Sequence, residues 1–254
     1  MAYPVGAIIG VLLLWQAATA LLTIPPYILP SPLKILLRMG QRAGLLLGHT
    51  WVTTYEILLG YACSLVLGGA FAVLVVVSPT LDRALMPLFL LSQTVSKIAI
   101  APLFVIWLGF GLPPKIAVSF LISFFPVFIS TATGLKAVEA DMLDLIRSMS
   151  PKPWHVFTKV RIPAALPFFF SGARIAMPFA TIGAIVGEWI ASDRGLGYYL
   201  LVAQGDLDTP LLFATILVIS AVGAILYAAI SKAERALLPW HVAVRQGEQA
   251  MLTV

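Results

Sequence analysis

From Ile57 to Val77 the sequence reads without one charged residue, and charge-poor stretches of similar length recur along the chain. A run of about 20 apolar residues is what an α-helix needs to cross a hydrocarbon core roughly 30 Å thick. In lipid every backbone N–H and C=O must be satisfied internally, so only helices and closed barrels span. Barrel strands alternate apolar and polar residues over about ten positions, and Ile57 to Val77 shows no such alternation. Composition agrees: 60% of residues are hydrophobic and 11% charged, against roughly a quarter charged in soluble domains. The expected fold is an all-α integral membrane protein, and 254 residues fit one domain.

Six spans are expected, over roughly Val5 to Leu22, Ile57 to Val77, Leu85 to Leu108, Ile116 to Leu135, Leu166 to Ile190 and Leu211 to Ile230. The first lacks a basic leader and a small-residue cleavage pattern, so it reads as a span. Pro25, Pro26, Pro30 and Pro32 then stop it, because proline lacks a donor and clashes with the preceding turn. Lys34, Arg38 and Arg42 recur every fourth residue beside Leu33, Ile35, Leu36 and Leu37. That pattern fits an interfacial amphipathic helix or a solvated connecting helix.

The net charge of +5 is scattered between hydrophobic runs rather than gathered on one face as nucleic-acid binding requires. With both termini cytoplasmic, nine basic residues lie inside: Arg83, Lys136, Arg147, Lys152, Lys159, Arg161, Lys232, Arg235 and Arg245. Five lie outside: Lys34, Arg38, Arg42, Lys115 and Arg194. The bias favours cytoplasmic termini. The longest cytoplasmic loop is then Lys136 to about Ala165, where a soluble partner would dock.

The usual catalytic constellations are missing. His49, His155 and His241 are far apart, Cys63 stands alone in an apolar run, and no phosphate-cradling G-x-x-x-x-G-K-[ST] occurs. Transport driven by ATP therefore needs a separate ATPase chain. Six spans without a visible internal repeat are few for a secondary carrier, so a path calls for a second copy or a homologous partner. A channel or ATP-independent carrier subunit is the rival class.

Within the loop, Asp141 and Asp144 open a short amphipathic helix, where the helix dipole favours anions, and Leu143, Ile146 and Met149 share a face. Pro151 and Pro153 end it, and a second helical stretch leads to Pro163. A short helix held between proline turns suits docking into a partner's groove. The segment resembles the cytoplasmic loop of permease subunits of binding-protein-dependent ABC importers, with its pattern E-A-A…G…I-x-L-P. In that register Asp144 takes the acid, Leu145 and Ile146 the alanines, Ser150 the glycine, and Val160, Ile162 and Pro163 the final I-x-L-P positions. Leu145, Ile146 and Ser150 depart from the pattern, and Ser150-Pro151 must supply the turn.

Pro30-Ser-Pro32, Gln93 to Leu103, Trp107-Leu-Gly-Phe-Gly111, Pro163-Ala-Ala-Leu-Pro167, Ile185-Val-Gly-Glu188 and Gly195-Leu-Gly-Tyr198 are similar to the branch handling taurine, aliphatic sulfonates, nitrate and thiamine-precursor pyrimidines. Gln93 to Trp107 looks most like the pyrimidine and riboflavin-type permeases. The resemblance implies a homodimer in the cell membrane, two ATP-binding subunits and an extracytoplasmic binding protein. ATP and Mg would be bound by the partner subunit, with no cofactor in this chain. It also implies ATPase coupling through Asp144, Leu145, Ile146, Arg147, Ser150 and Pro163.

Lys97, Arg174 and Glu188 are ionisable residues within or at the ends of spans, where each must face a bundle interior, face a cavity, or snorkel. Arg174, Thr181 and Glu188 are spaced by seven, close to two helical turns, and so form one stripe. The stripe is expected to face the dimer axis or a water-filled cavity. With Gln93, these three are the expected path residues. Gly183 and Gly187 allow a close helix approach, at the dimer axis or within one subunit.

Overall fold

A computed structural model describes residues 2–22, 24–139, 146, 148 and 153–238. The described elements are α1 (Ala2–Leu21), α2 (Pro32–Gln41), α3 (Ala43–Val77), α4 (Pro79–Ser92), α5 (Lys97–Leu108) and α6 (Leu112–Lys136). They continue with α7 (Pro153–Val156), a π-helical turn (Phe157–Arg161), α8 (Ile162–Ala191), α9 (Leu196–Gly205) and α10 (Thr209–Leu237). Helix starts carry the expected chemistry. The Ser31 and Asp208 side chains accept from the backbone N–H of Lys34 and Leu211, each followed by a proline in the first turn, where the missing donor costs nothing.

Spans four, five and six match α6, α8 and α10 to within a few residues, apart from the longer end of α10. Two boundaries need correction. Span two begins not at Ile57 but at Ala43, giving a helix of 35 residues, about 50 Å long at 1.5 Å per residue. The charge-free run begins only after Glu56, yet Thr53 and Glu56 are buried within this helix. Span three is not one helix: α4 ends at Ser92, and α5 begins at Lys97 after a turn over 93–96.

The core forms where α6 lies between α3 and α8. Gly60 of α3 and Gly183 of α8 both abut Ser119 of α6 so closely that a β-carbon at either would overlap it, and Gly187 abuts Lys115. Without a hydrophobic driving force between helices in lipid, such backbone approach supplies the dispersion that holds them. The Gly183/Gly187 pair thus serves packing within the subunit. Ile57, Tyr61, Val127, Ala176, Met177 and Ala180 fill the seam. From the middle of α6 onward an aromatic group seats α4, with Phe89 against Phe128 at 4.5 Å and Phe124 stacked on Phe128 at 5.7 Å.

Two faces result. One holds the start of α4 and the end of α6, joined by the Lys136–Asp82 ion pair. The start of α8 and the end of α10 join them there, with Ala165 and Leu135 in one cluster. The opposite face holds the starts of α3, α6 and α10, the end of α8, and α2. The amphipathic segment is α2: Ile35 is buried and Arg38 Nε donates to Asp208 Oδ2 at 2.8 Å. That bond raises the guanidinium's pKa above its ordinary value.

Candidate functional site

The break in span three lies half-way through the bundle. Lys97 Nζ sits 4.2 Å from the centre of the Phe125 ring, and Phe125 is near the middle of α6. Irregular backbone at membrane depth is tolerated where it is buried in protein or lines a cavity. Here it lines one of about 560 Å³, bounded by Gln93, Ser96, Lys97, Phe125, Ser130 and Phe179 among others. That volume is in the range of small-molecule sites. The break thus sets an amide, a hydroxyl and an ammonium against largely apolar walls from α6 and α8, to which Ser130 of α6 adds a second hydroxyl.

The outward stripe of α8 is Phe168, Ile175, Ile182 and Trp189, spaced by seven and one residue beyond the expected stripe. Ile175 and Ile182 line the cavity. Arg174, Thr181 and Glu188 are turned by about 100° toward the subunit's own helices. Half-exposed Arg174 pairs through Nε with buried Glu234 of α10 at 3.0 Å. Thr181, 8% exposed, donates to Met177 O at 3.2 Å. Polar groups in lipid turn toward whatever satisfies them, and the partners lie inside the subunit.

Glu188 belongs to a buried clasp on the opposite face. Thr53 Oγ1 donates to its Oε1 at 2.6 Å, and Gly197 N–H donates to Oε2. Leu196 N–H donates to Thr53 Oγ1 at 2.7 Å, and Gly195 N–H to His49 Nδ1 at 3.0 Å. Beside it Lys115 Nζ donates to Glu56 Oε1 and, at 2.9 Å, to Ser192 Oγ. Glu56, Lys115 and Glu188 are all buried, and Glu56 Oε2 has no hydrogen-bond partner among the described residues. Sequence reading missed Thr53, Glu56, Lys115 and Glu234 as members of these sites. A charge or hydroxyl inside an otherwise apolar helix was the signal available for them.

Of the coupling residues, Asp144, Leu145, Arg147 and Ser150 lie outside the described residues. Ile146 is helical and half-buried, and Pro163 is exposed in the first turn of α8. The π-helical turn just before it has a steric cause: a proline ring clashes with the carbonyl four residues back, here Lys159, and widening the helix relieves that clash.

Residues 64–237 match the family described as "Binding-protein-dependent transport system inner membrane component". The chain belongs to that family. This permease is 37% identical over 231 residues to the formylaminopyrimidine transport permease protein ThiX of Halalkalibacterium halodurans, covering 91% of this chain and 92% of that one. It is 41% identical over 221 residues to a probable ABC transporter permease protein of Haemophilus influenzae, covering 87% and 90%. The riboflavin transport system permease protein RibX of Chloroflexus aurantiacus is 33% identical over 232 residues, covering 91% and 87%.

A solved structure, an inward-facing conformation of the MetNI methionine ABC transporter, shares the fold with a TM-score of 0.58 at 19% identity, covering 75% of this chain and 98% of that one. The permease is therefore a multi-pass inner-membrane subunit of an ABC importer. It works with a binding protein, and ATP hydrolysis belongs to a separate subunit.

Proposed function

We propose that two copies of this permease enclose an alternating-access path for a formylaminopyrimidine- or riboflavin-like heterocycle. The cavity at the helix break is the middle of that path. The observation that carries this reading is the broken third span, because an interrupted helix at membrane depth places polar backbone and side chains where a solute passes. Gln93 touches the path. Arg174, Thr181 and Glu188 act behind it, holding α8 in register against α3 and α10. The segment from Asp144 to Ser150 docks the ATPase subunits, with Pro163 fixing its junction to α8. The face bearing that segment is cytoplasmic, and the clasp is extracytoplasmic. The names of the similar permeases support the substrate class.

The test is uptake into proteoliposomes holding permease, ATPase and binding protein. Labelled formylaminopyrimidine should accumulate in an ATP-dependent way, with riboflavin or formylaminopyrimidine competing and taurine not competing. Accumulation of taurine or an aliphatic sulfonate in place of either heterocycle overturns the substrate assignment and selects the sulfonate reading. Accumulation without ATP overturns the coupling.

A further inference from the structure

Ionisable side chains at membrane depth are costly, so natural spans pair them with one another or face them to water or ligand. This chain follows that rule in three places: Lys115 with Glu56, Arg174 with Glu234, and Glu188 with Thr53 and the Gly197 N–H. Lys97 is different. Its recorded partner among the described residues is the face of Phe125, and a cation over a phenyl ring recovers only part of what an ammonium loses on leaving water. Its position explains why the chain keeps it: Lys97 lines the mid-membrane cavity together with Gln93, Ser96 and Ser130.

We infer that Lys97 is a solute-binding and specificity-determining residue, whose ammonium meets the anionic or hydrogen-bond-accepting edge of a flat solute. Gln93 and Ser96 supply further polar contacts, and Phe125 and Phe179 supply apolar walls. The cavity's dimensions admit a single heteroaromatic ring system. Binding exchanges the ring face of Phe125 for an acceptor, which an ammonium with three donors satisfies better. A cationic solute without an acceptor edge gains nothing there and is repelled, so the same residue excludes it. The inference rests on reading this cavity as part of the path.

The closing experiment separates the two. In a Cys63→Ala background, Ser96→Cys in the reconstituted transporter is reacted with two aqueous thiol reagents of similar size, one bearing a sulfonate and one a trimethylammonium group. The introduced thiol should react in at least one of the resting and nucleotide-trapped states, faster with the anionic reagent. Adding Lys97→Gln should lower the anionic-to-cationic rate ratio about five- to tenfold, and Lys97→Arg should leave it within twofold. A thiol that reacts with both reagents at a ratio indifferent to Lys97→Gln overturns the role of Lys97 while leaving the path reading standing. A thiol inert in both states overturns the path reading and this inference with it. Uptake of formylaminopyrimidine should fall at least tenfold in Lys97→Gln with complex assembly intact, and unchanged uptake overturns the inference.

Discussion

Gly195 has a φ of 109° and no room for a β-carbon, which would overlap the Glu188 carboxylate. An L side chain there meets both a disfavoured backbone region, costing roughly 1–3 kcal/mol, and a displaced carboxylate that loses backbone donors. Gly40 sits in α2 with open space around its would-be β-carbon, so alanine there adds helix propensity of up to about 1 kcal/mol. Gly195→Ala should therefore lower, and Gly40→Ala hold or raise, the thermal midpoint of the detergent-purified permease. The Glu56–Lys115 pair gives a second test. Removing one partner of a buried pair leaves an uncompensated charge and costs about 3–5 kcal/mol, so Lys115→Met should sharply reduce folded yield. Lys115→Met with Glu56→Gln should recover most of it, and a double variant no better than the single would show that the pair is not what holds α3 to α6.

Among the elements, the junction into α8 adds a π-helical turn to the coupling set that the resemblance had already extended to Pro163. Pro163 lies in the first turn of α8 directly after the π-helical turn, and the coupling segment precedes both. Replacing Leu145 and Ile146 with Asp should prevent co-purification of the ATPase subunits, because two carboxylates cannot be buried in an apolar groove without partners. Pro163→Ala removes the clash that the π-helical turn relieves. It should leave the complex assembled but reduce substrate-stimulated ATP hydrolysis about fivefold, since the angle between the docked segment and α8 would relax. Assembly and full ATPase stimulation in the Leu145→Asp, Ile146→Asp permease would remove this segment from the coupling role.

For the whole molecule, antiparallel packing of α8 and α10 puts the end of α10 on the face where α6 ends, while Asp208 at the start of α10 meets Arg38 on the other. Cysteines introduced at Lys152 and Asp193, in a Cys63→Ala background, should label from opposite sides of the membrane, and same-side labelling would contradict this arrangement. Of the six expected spans, four helices among the described residues, those of α3, α6, α8 and α10, are long and apolar enough to cross a membrane. The helical fold, the approximate limits of α6, α8 and α10, and the amphipathic α2 were legible in the sequence. They follow from hydropathy and proline placement, which act locally along the chain. The family was legible too, from motifs spread over most of the chain. Three things were not. The 93–96 break sits inside a run that is apolar on both sides, so hydropathy passes over it, and only packing of α4 on Phe128 and of α5 along α6 shows that the axis is interrupted. The start of α3 was hidden because Thr53 and Glu56 are polar, and partners more than fifty residues away, Lys115 and Glu188, make them tolerable. A seven-residue spacing places Arg174, Thr181 and Glu188 on one stripe, but the direction of that stripe depends on neighbouring helices. Glu234, Thr53 and the Gly197 N–H draw it inward and turn Ile175 and Ile182 to the cavity, because a buried charge goes where its partner is and no single helix contains that partner.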